Sequence, residues 1–476
     1  NYGYKDRYLF EASGRYDGSS RFRAGHRFGF FPSFSAAWRV SEEEFFKPAR
    51  EYMDNLKLRL SYGSLGNQAS VGYYDYIQLI DTSQQLGYLF GGSNRVYYAS
   101  ESDPNASDMT WETIVTKNIG LDMGFLGNRL NVSVDAYIRD TKDMLMEGRT
   151  LPEVYGASSP MMNAADLRTK GWEMSLSWAD KFMVASKPLN YQVSFGLGDN
   201  TSKVTKYDNP DCTLTDPYEG QQLGEIRGYK IDGYFKTDEE AANYAVDQTL
   251  VNTMINQSVI DNGLHAGDLK FIDVDGNGKI EETTSANDVK DQVVIGNSLP
   301  RYNYSASLSA QWNGIDLSVF FQGIGRQHWY PGGEALAFWG PYARPYTGLV
   351  PRDFMSNVWS EDNPDAYFPR PRGYVALISN RELVETNDRY LQNIGYCRLK
   401  NLTIGYTLPK LWTSKVGIEK LRVYFSGENL LTFTKLKSDY IDPEQASAGL
   451  SWNSYSNAVQ NYPYSKTFSF GVELKF

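Results

Sequence analysis

A run of oxygen-bearing side chains and glycines, DVDGNGKI at residues 273–280, has the spacing of a calcium-binding loop. Carboxylate and carbonyl oxygens are the ligands that Ca²⁺ prefers, and a glycine allows the sharp turn between them. Asp273, Asp275 and Asn277 fill ligand positions 1, 3 and 5. The backbone carbonyl of Lys279 fills ligand position 7, and Gly278 fills the turn position 6. The run therefore predicts a divalent-cation site, with calcium as the expected ion.

The loop departs from that pattern at position 12, where a calcium loop needs a carboxylate but this chain has Thr284. Asp288 or Asp291 can supply the missing ligand if the loop is lengthened, and Glu281 and Glu282 are further candidates. The alternative is an Asp-, Asn- and Gly-rich turn whose carboxylates are solvated.

Aromatic side chains offer a second chemistry, because sugar rings stack on flat aromatic faces. The segment 326–374 is rich in aromatic residues and proline, and its candidates for substrate binding are Trp329, Tyr330, Trp339, Tyr342 and Tyr346. An earlier segment offers Tyr88, Tyr97 and Tyr98. The alternative is that these rings pack a loop on itself or anchor an interface with a partner protein.

A charged cluster follows the first predicted strand and consists of Arg15, Asp17, Arg21 and Arg23. The preferred interpretation is a network that holds a loop or a plug in place. The alternative interpretation is that the cluster binds a phosphate or a uronate.

Residues of enzymatic type occur without an enzymatic pattern. The histidines at 26, 265 and 328 stand in unrelated contexts, and nucleophile-elbow, metalloprotease and nucleotide-binding motifs are absent from the sequence. Cys212 and Cys397 are far apart and lack metal-ligand spacing, so they are predicted to be separate thiols. Carboxylates are plentiful, but no pair stands out as catalytic, and the chain is predicted not to be an enzyme.

The elements that carry these residues show a period of two. At the end of the chain, apolar and polar side chains alternate. The apolar ones are Phe468, Phe470, Val472, Leu474 and Phe476, and the polar or small ones are Ser469, Gly471, Glu473 and Lys475. The same alternation recurs at 56–62, 130–139, 173–178, 191–198, 304–312 and 421–426. Strands with one apolar and one polar face, repeated along most of a chain, are typical of a transmembrane antiparallel β-barrel.

Composition fits that fold class. Of 476 residues, 22% are charged, and the sequence has no uninterrupted apolar stretch long enough for a membrane-spanning helix. Aromatic residues reach 14%, and barrels use them as girdles at both membrane interfaces. The net charge of −10 and the lack of a basic run argue against nucleic acid as a partner.

Connections between the predicted strands fall into two sizes. Short turns lie at 126–129 and at Asn313-Gly314, a strong two-residue hairpin signal. Bacterial barrels have short periplasmic turns and long extracellular loops. The predicted extracellular loops are roughly 82–110, 142–165, 204–300, 326–388 and 432–464.

Two local features are also expected. The alternation slips near Lys400-Asn401, which predicts a β-bulge. Residues 237–256 are expected to form a short helix with Thr237 or Asp238 as N-cap.

Seven segments in a fixed order carry a resemblance to one protein family. They are LFEASGRYDGSSRF (9–22), FPSFSAAW (31–38), LRLSYGSLGNQ (58–68), KNIGLD (117–122), GDLKFIDVDGNG (267–278), RLKNLTIGYTLP (398–409) and VYFSGENL (423–430). The chain resembles, over nearly its whole length, the C-terminal half of the SusC/RagA family of TonB-linked outer-membrane importers from Bacteroidetes. Family members often place an Asp at the position of the missing calcium ligand, shortly before a Val-Ile-Gly stretch. The resemblance therefore implies that a downstream Asp, either Asp288 or Asp291, supplies this ligand.

The resemblance implies an architecture. Family members are 22-stranded barrels with an N-terminal plug, so residues 1–476 are expected to form the C-terminal 13 to 14 strands, with the plug absent from this chain. The sequence opens close to a strand with no signal peptide, and we expect it to be part of a longer protein.

The resemblance also implies partners and a location. The expected partners are a SusD-like surface lipoprotein that acts as a lid, TonB acting through parts absent here, membrane lipid and lipopolysaccharide, and an oligosaccharide or peptide substrate. A dimer of importer–lid pairs in the bacterial outer membrane is expected. The rival hypotheses are a passive outer-membrane porin and a soluble all-β glycan-binding module.

Overall fold

The computed structural model describes residues 1–89, 95–105, 108–251, 263–332, 335–343, 350–371, 382–446 and 462–476. Within these ranges the chain is built almost entirely of strands joined by turns and short helices. No helix in the described ranges has both the length and the apolar character needed to cross a membrane.

The strands in chain order are β1 (Tyr2–Tyr4), β2 (Tyr8–Gly18), β3 (Phe28–Arg39), β4 (Met53–Asn67), β5 (Ile80–Leu89), β6 (Arg95–Glu101), β7 (Glu112–Phe125), β8 (Leu130–Glu147), β9 (Met161–Val184), β10 (Lys187–Lys206), β11 (Glu225–Gly228), β12 (Ile231–Tyr234), β13 (Leu269–Phe271), β14 (Val293–Asn297), β15 (Arg301–Trp312), β16 (Ile315–Arg326), β17 (His328–Trp329), β18 (Gln392–Asn393), β19 (Tyr396–Thr407), β20 (Lys420–Thr434) and β21 (Thr467–Lys475). The α-helices are α1 (Asp238–Ala242), α2 (Leu336–Trp339) and α3 (Lys410–Thr413). The 3₁₀ helices lie at Val40–Glu42, Glu44–Glu51, Glu153–Tyr155, Gly340–Tyr342, Phe354–Ser356 and Ser414–Val416, and all but the eight-residue Glu44–Glu51 are single turns.

Thirteen strands form one sheet in the order β1-β2-β3-β4-β7-β8-β9-β10-β15-β16-β19-β20-β21. The described register of this sheet is antiparallel, and its size confirms the predicted 13 to 14 strands of a large antiparallel wall. The other strands pair two by two inside the long connections, as β5–β6, β11–β14, β12–β13 and β17–β18.

The two faces of the sheet follow the alternation in the sequence. Cross-strand register places Phe10, Ala36, Leu60, Ile119 and Ala136 in one row on the apolar face. Large apolar side chains on that face are exposed, and the exposure reaches 84% at Phe470. A face this apolar and this exposed is what a membrane-spanning wall presents to lipid.

The opposite face is polar and carries ion pairs that link neighbouring strands. The guanidinium of Arg59 on β4 donates to Asp122 on β7 at 2.9 Å and to Asp135 on β8 at 2.8 Å. Arg422 on β20 donates to Asp316 on β16 at 2.6 and 2.9 Å. Such networks suit the water-filled side of a barrel wall.

The chain divides into two compact units. The first comprises Asn1–Met174 and Asn200–Leu223. It holds β1 to β8 and a small apolar cluster of buried side chains, namely Phe22, Phe31, Val71, Met109, Trp111 and Leu145.

The second unit comprises Ser175–Asp199 and Gly224–Phe476. Its buried core lies among the long connections rather than in the wall. We call the described residues of 224–300, 327–394 and 435–446 the loop body, because they share this one core.

Local expectations compare with the structure as follows. The register slips between Leu399 and Asn401 against both neighbouring strands, which confirms the bulge at Lys400. Asn313 and Gly314 both have positive φ, as a tight hairpin turn requires. Both cysteines are free thiols.

The predicted helix over 237–256 is wrong in its length, since α1 ends at Ala242. Thr237 is its N-cap and accepts a hydrogen bond from the Glu240 amide, as expected. Beyond the helix, Asp247 pairs with the loop around Lys279, where its amide donates to the Gly278 carbonyl at 2.9 Å, so this part of the predicted helix is extended chain. Residues 252–256 lie outside the described ranges.

The connections have the following bounds. β8 continues to Glu147, so the β8–β9 connection covers 148–160, which is shorter than 142–165. The β10–β15 connection covers 207–300, the β16–β19 connection covers 327–395, and the β20–β21 connection covers 435–466. The β4–β7 connection covers 68–111 and contains the β5–β6 hairpin.

Candidate functional site

The acidic loop is held in shape by its own side chains. The Asp273 carboxylate accepts hydrogen bonds from the amides of Gly276 at 2.7 Å, Gly278 at 2.7 Å and Asn277 at 3.3 Å. These amides, with Gly278 the strongest, lower the pKa of Asp273, so this carboxylate is ionised at neutral pH.

The structure decides which downstream acid joins the loop. Carboxylate oxygens of Asp273, Asp275 and Asp291 all lie within 4.8 Å of one another. Asp291 is fully buried, and its two oxygens accept the amides of Val274 at 2.6 Å and Glu281 at 2.7 Å. Asp291 therefore stands where the sequence lacks an acid at position 12.

Asp288, the other candidate, lies outside this cluster. Its carboxylate points to the ammonium of Lys290 at 3.3 Å, and its side chain is largely exposed. The expectation that Asp288 joins the ligand set does not match this position, because the carboxylates that meet are those of Asp273, Asp275 and Asp291. The same Lys290 ammonium also lies 3.8 Å from Asp275.

The remaining predicted ligands are close by. The Asn277 side chain donates to Asp275 at 3.1 Å and to Glu281 at 2.6 Å, and it accepts the amide of Lys279 at 2.9 Å. A set of carboxylate and amide oxygens fits a hard cation such as Ca²⁺ better than a soft one. These residues would hold the ion, which would neutralise the clustered carboxylates.

The aromatic candidates lie in the core of the loop body. Trp329, Trp339 and Tyr342 are each 1% exposed. The expectation that they present open ring faces to a sugar does not match these positions, because their rings are covered by other side chains. Packing of the loop on itself, the alternative interpretation, accounts for them.

Their polar atoms are also used inside the core. The Trp339 indole donates to the Gly332 carbonyl at 3.0 Å, and the Tyr342 hydroxyl donates to the Pro369 carbonyl at 2.5 Å. The Tyr330 hydroxyl donates to the carbonyls of Leu383 and Glu385. Burial raises the pKa of Tyr330 and of Tyr342, so both phenols stay neutral. Tyr346 lies outside the described residues.

Sequence reasoning missed the residues that complete this core. Tyr390 lies 5.1 Å from Trp339 between ring centroids, and Arg389 stacks 4.2 Å over the ring of Tyr234. Phe271 and Leu269 of β13 are fully buried against the same core. They come from distant segments, and the only sequence signal was the density of aromatic residues.

The predicted aromatic candidates that are exposed lie in the first unit. Tyr97 and Tyr98 on β6 are exposed, whereas the side chain of Tyr88 lies outside the described set. Among the described candidates, Tyr97 and Tyr98 are therefore the ones whose rings are open to solvent.

The charged cluster lies at the end of β2 and just beyond it, and Arg21 is the member that holds a loop. Arg21 donates to the carbonyls of Gln68 at 3.2 Å and Val71 at 2.6 Å, and it stacks over Tyr73. Arg15 pairs with Asp17 at 2.7 Å, and Arg23 is exposed. This geometry agrees with the preferred interpretation of a loop-holding network.

Comparison with known proteins places these features in a wider context. Residues 1–430 match the protein family described as "TonB dependent receptor-like, beta-barrel". The chain is 28% identical over 498 residues to TonB-dependent receptor P3 of Formosa agariphila, an alignment that covers all of this chain and 45% of that protein. It is 27% identical over 487 residues to TonB-dependent receptor SusC of Bacteroides thetaiotaomicron, covering all of this chain and 43% of that protein.

A solved structure shares the fold. The chain superposes on the RagAB peptide importer in its open-open state with a TM-score of 0.72 at 22% identity, covering 100% of this chain and 46% of that one. The chain thus spans about half the length of the relatives it matches.

Proposed function

The chain belongs to the family of TonB-dependent receptor-like β-barrels of the outer membrane, and from that premise we propose that it forms wall and extracellular loops of a TonB-dependent importer. The cargo is a nutrient oligomer, either an oligosaccharide or a peptide. A SusD-like surface lipoprotein closes over the loops, and TonB acts through parts outside this chain.

The observation that carries the proposal is the loop body. The described residues of three long connections share one aromatic core, so these parts of the connections pack together instead of standing apart. Folded loops on a rigid wall suit a chamber that must keep its shape while a lid opens and closes. The polar face of the wall, with ion pairs such as Arg59–Asp122, suits an aqueous passage.

Two relatives bear on the cargo. RagAB is described as a peptide importer, and SusC is a TonB-dependent receptor of the same family type. The exposed Tyr97 and Tyr98 offer ring faces that suit a sugar, and their hydroxyls also suit a peptide backbone.

The rival hypotheses predict different behaviour. A soluble glycan-binding module would not expose a face as apolar as that of β21, where Phe468, Phe470 and Val472 are each more than half exposed. A passive porin would show steady conductance in a planar bilayer, whereas a plugged importer would remain closed.

We also propose that the acidic loop binds calcium through Asp273, Asp275, Asn277, Lys279 and Asp291. Two observations support this site. Carboxylate oxygens of Asp273, Asp275 and Asp291 lie close together, and the Gly278 amide donates to Asp273 within the same turn. Isothermal titration of the metal-stripped receptor tests the site. The expected result is saturable heat at or below millimolar calcium, and no heat in that range would refute it.

The test of the import function is native mass spectrometry of the complex extracted in detergent from its own outer membrane. We expect a chain about twice the length of this one, as the relatives imply, together with a lipoprotein of SusD type. The mass of a co-purified ligand would separate a glycan from a peptide. Recovery of the receptor without any lipoprotein, under conditions that keep known receptor–lipoprotein pairs together, would contradict the proposed mechanism.

A further inference from the structure

A groove runs across the first unit on its apolar face. It has a volume of about 920 Å³ and is lined by two neighbouring rows of side chains that the strand register aligns. One row is Phe10, Ala36, Leu60, Ile119 and Ala136, and the other is Ala12, Phe34, Tyr62, Lys117 and Ile138. This volume falls in the range of about 300–1,000 Å³ that is typical of ligand sites.

Small residues create the groove, and large ones form its sides. Ala12, Ala36 and Ala136 leave space between rings and branched chains. Phe34 and Ile119 are 53% and 50% exposed, so they are available for contact with an apolar ligand. The shape suits a flexible hydrocarbon chain, which fills an irregular apolar channel without needing hydrogen bonds.

A basic group lies at one end of the groove. Lys117 is on the apolar face, and the register continues through the pairs Lys117–Ile138, Val115–Asp140 and Thr113–Lys142, so Asp140 and Lys142 follow it along the same face. Arg168 pairs with Asp140 at 2.6 Å, and its side chain is 48% exposed. These three cations and one carboxylate leave a net charge of +2.

The height of this group on the wall is marked by aromatic residues. Tyr16, Phe28 and Phe30 are exposed at the same end of β2 and β3, opposite the short turn that joins β7 and β8. Exposed aromatic side chains of a barrel gather at the membrane–water interface, and short turns are periplasmic. The basic group therefore lies at the level of the outer-leaflet headgroups, with the groove below it.

We propose that the groove and the basic group together bind an anionic lipid of the outer leaflet. One acyl chain lies in the groove, and a phosphate lies among Lys117, Lys142 and Arg168. A lysine on a lipid-facing surface is unfavourable unless it reaches an anionic headgroup, which such a lipid supplies. The inference rests on the outer-membrane location and not on the cargo of the importer.

The test is a titration of the intact receptor, purified in detergent, with lipid A, followed by native mass spectrometry. The variants are the double substitution Lys117→Gln and Lys142→Gln, and Ala36→Phe, which fills the groove without changing charge. The control is Arg129→Gln, at the opposite end of the β7–β8 hairpin. Variants are compared only after heat-modifiable migration on gels has shown that the barrel is folded.

The double charge variant is expected to bind lipid A about 25-fold more weakly, taking about fivefold for each lysine removed near the membrane surface. Ala36→Phe is expected to weaken binding at least about fourfold, which corresponds to the loss of roughly one buried methylene contact. The control should match the wild type, and a zwitterionic phospholipid should bind equally to the wild type, the double charge variant and the control.

Three results would overturn the proposal. Equal lipid A affinity in all variants would mean non-specific annular binding. If the charge variant lost affinity for lipid A and Ala36→Phe did not, the acyl chain would not lie in the groove. Displacement of bound lipid A by millimolar inorganic phosphate would reduce the site to one for a free anion.

Discussion

Replacement of Trp339 by alanine tests whether the aromatic residues of the loop body act by packing. Trp339 is 1% exposed, its ring lies 4.8 Å from Phe338 and 5.1 Å from Tyr390, and its indole donates to the Gly332 carbonyl. Truncation of a buried tryptophan to alanine costs about 3–5 kcal/mol. Because the core belongs to the loop body, this cost should appear there and not in the wall.

Hydrogen exchange measured by mass spectrometry resolves the two regions. A loss of about 3–5 kcal/mol in local stability raises exchange by roughly a hundred- to a thousandfold or more. The affected amides should include Tyr390, bonded to Asn387, and Ile394, bonded to the Gln327 carbonyl. Amides in the β15–β16 ladder should keep their protection, because they depend on strand pairing in the wall.

Two further variants make the comparison sharp. Trp339→Phe keeps most of the apolar packing and should give a smaller increase. Met355→Ala, at a side chain that is 80% exposed in the same unit, should leave exchange unchanged. Unchanged protection in Trp339→Ala, combined with a loss of cargo affinity in the intact receptor, would refute the packing account and restore direct stacking on the cargo.

Asp291→Asn should weaken calcium binding at least about tenfold by isothermal titration, whereas Asp288→Asn should stay near the wild-type value; equal effects would contradict the assignment of ligands. Arg59→Ala leaves Asp122 and Asp135 facing each other, and because the pairs are partly exposed it should cost about 1–3 kcal/mol in urea unfolding; Lys47→Ala, at an exposed pair, should cost almost nothing. Burial, reinforced by Glu282, raises the pKa of Glu385, so the folded state binds its proton more tightly than the unfolded state and stability should rise as pH falls through the raised pKa towards the ordinary value. Glu385→Gln should therefore stabilise the loop body at neutral pH and lose that advantage at low pH, and an advantage that persists unchanged at low pH would contradict the assignment.

The sequence alone determined the wall. A side-chain period of two is a local property of the chain. Because one face of each membrane strand must be apolar to contact lipid, the alternation is visible in the sequence. The alternation at β21, the Asn313-Gly314 turn and the bulge at Lys400 were therefore all readable in the chain. The family motifs were readable for the same reason, since they lie mostly in strands and tight turns.

Only the tertiary structure decided the roles of the loop residues. Asp288 and Asp291 are equally acidic in sequence, but the folded loop leaves the side chain of Asp288 largely exposed and buries Asp291, whose two oxygens accept loop amides. Trp339 and Tyr98 are equally aromatic, but one meets Tyr390 from a distant segment and the other lies on an exposed hairpin. Burial of a loop side chain depends on partners far away in the chain, and no local pattern records which partners it will meet.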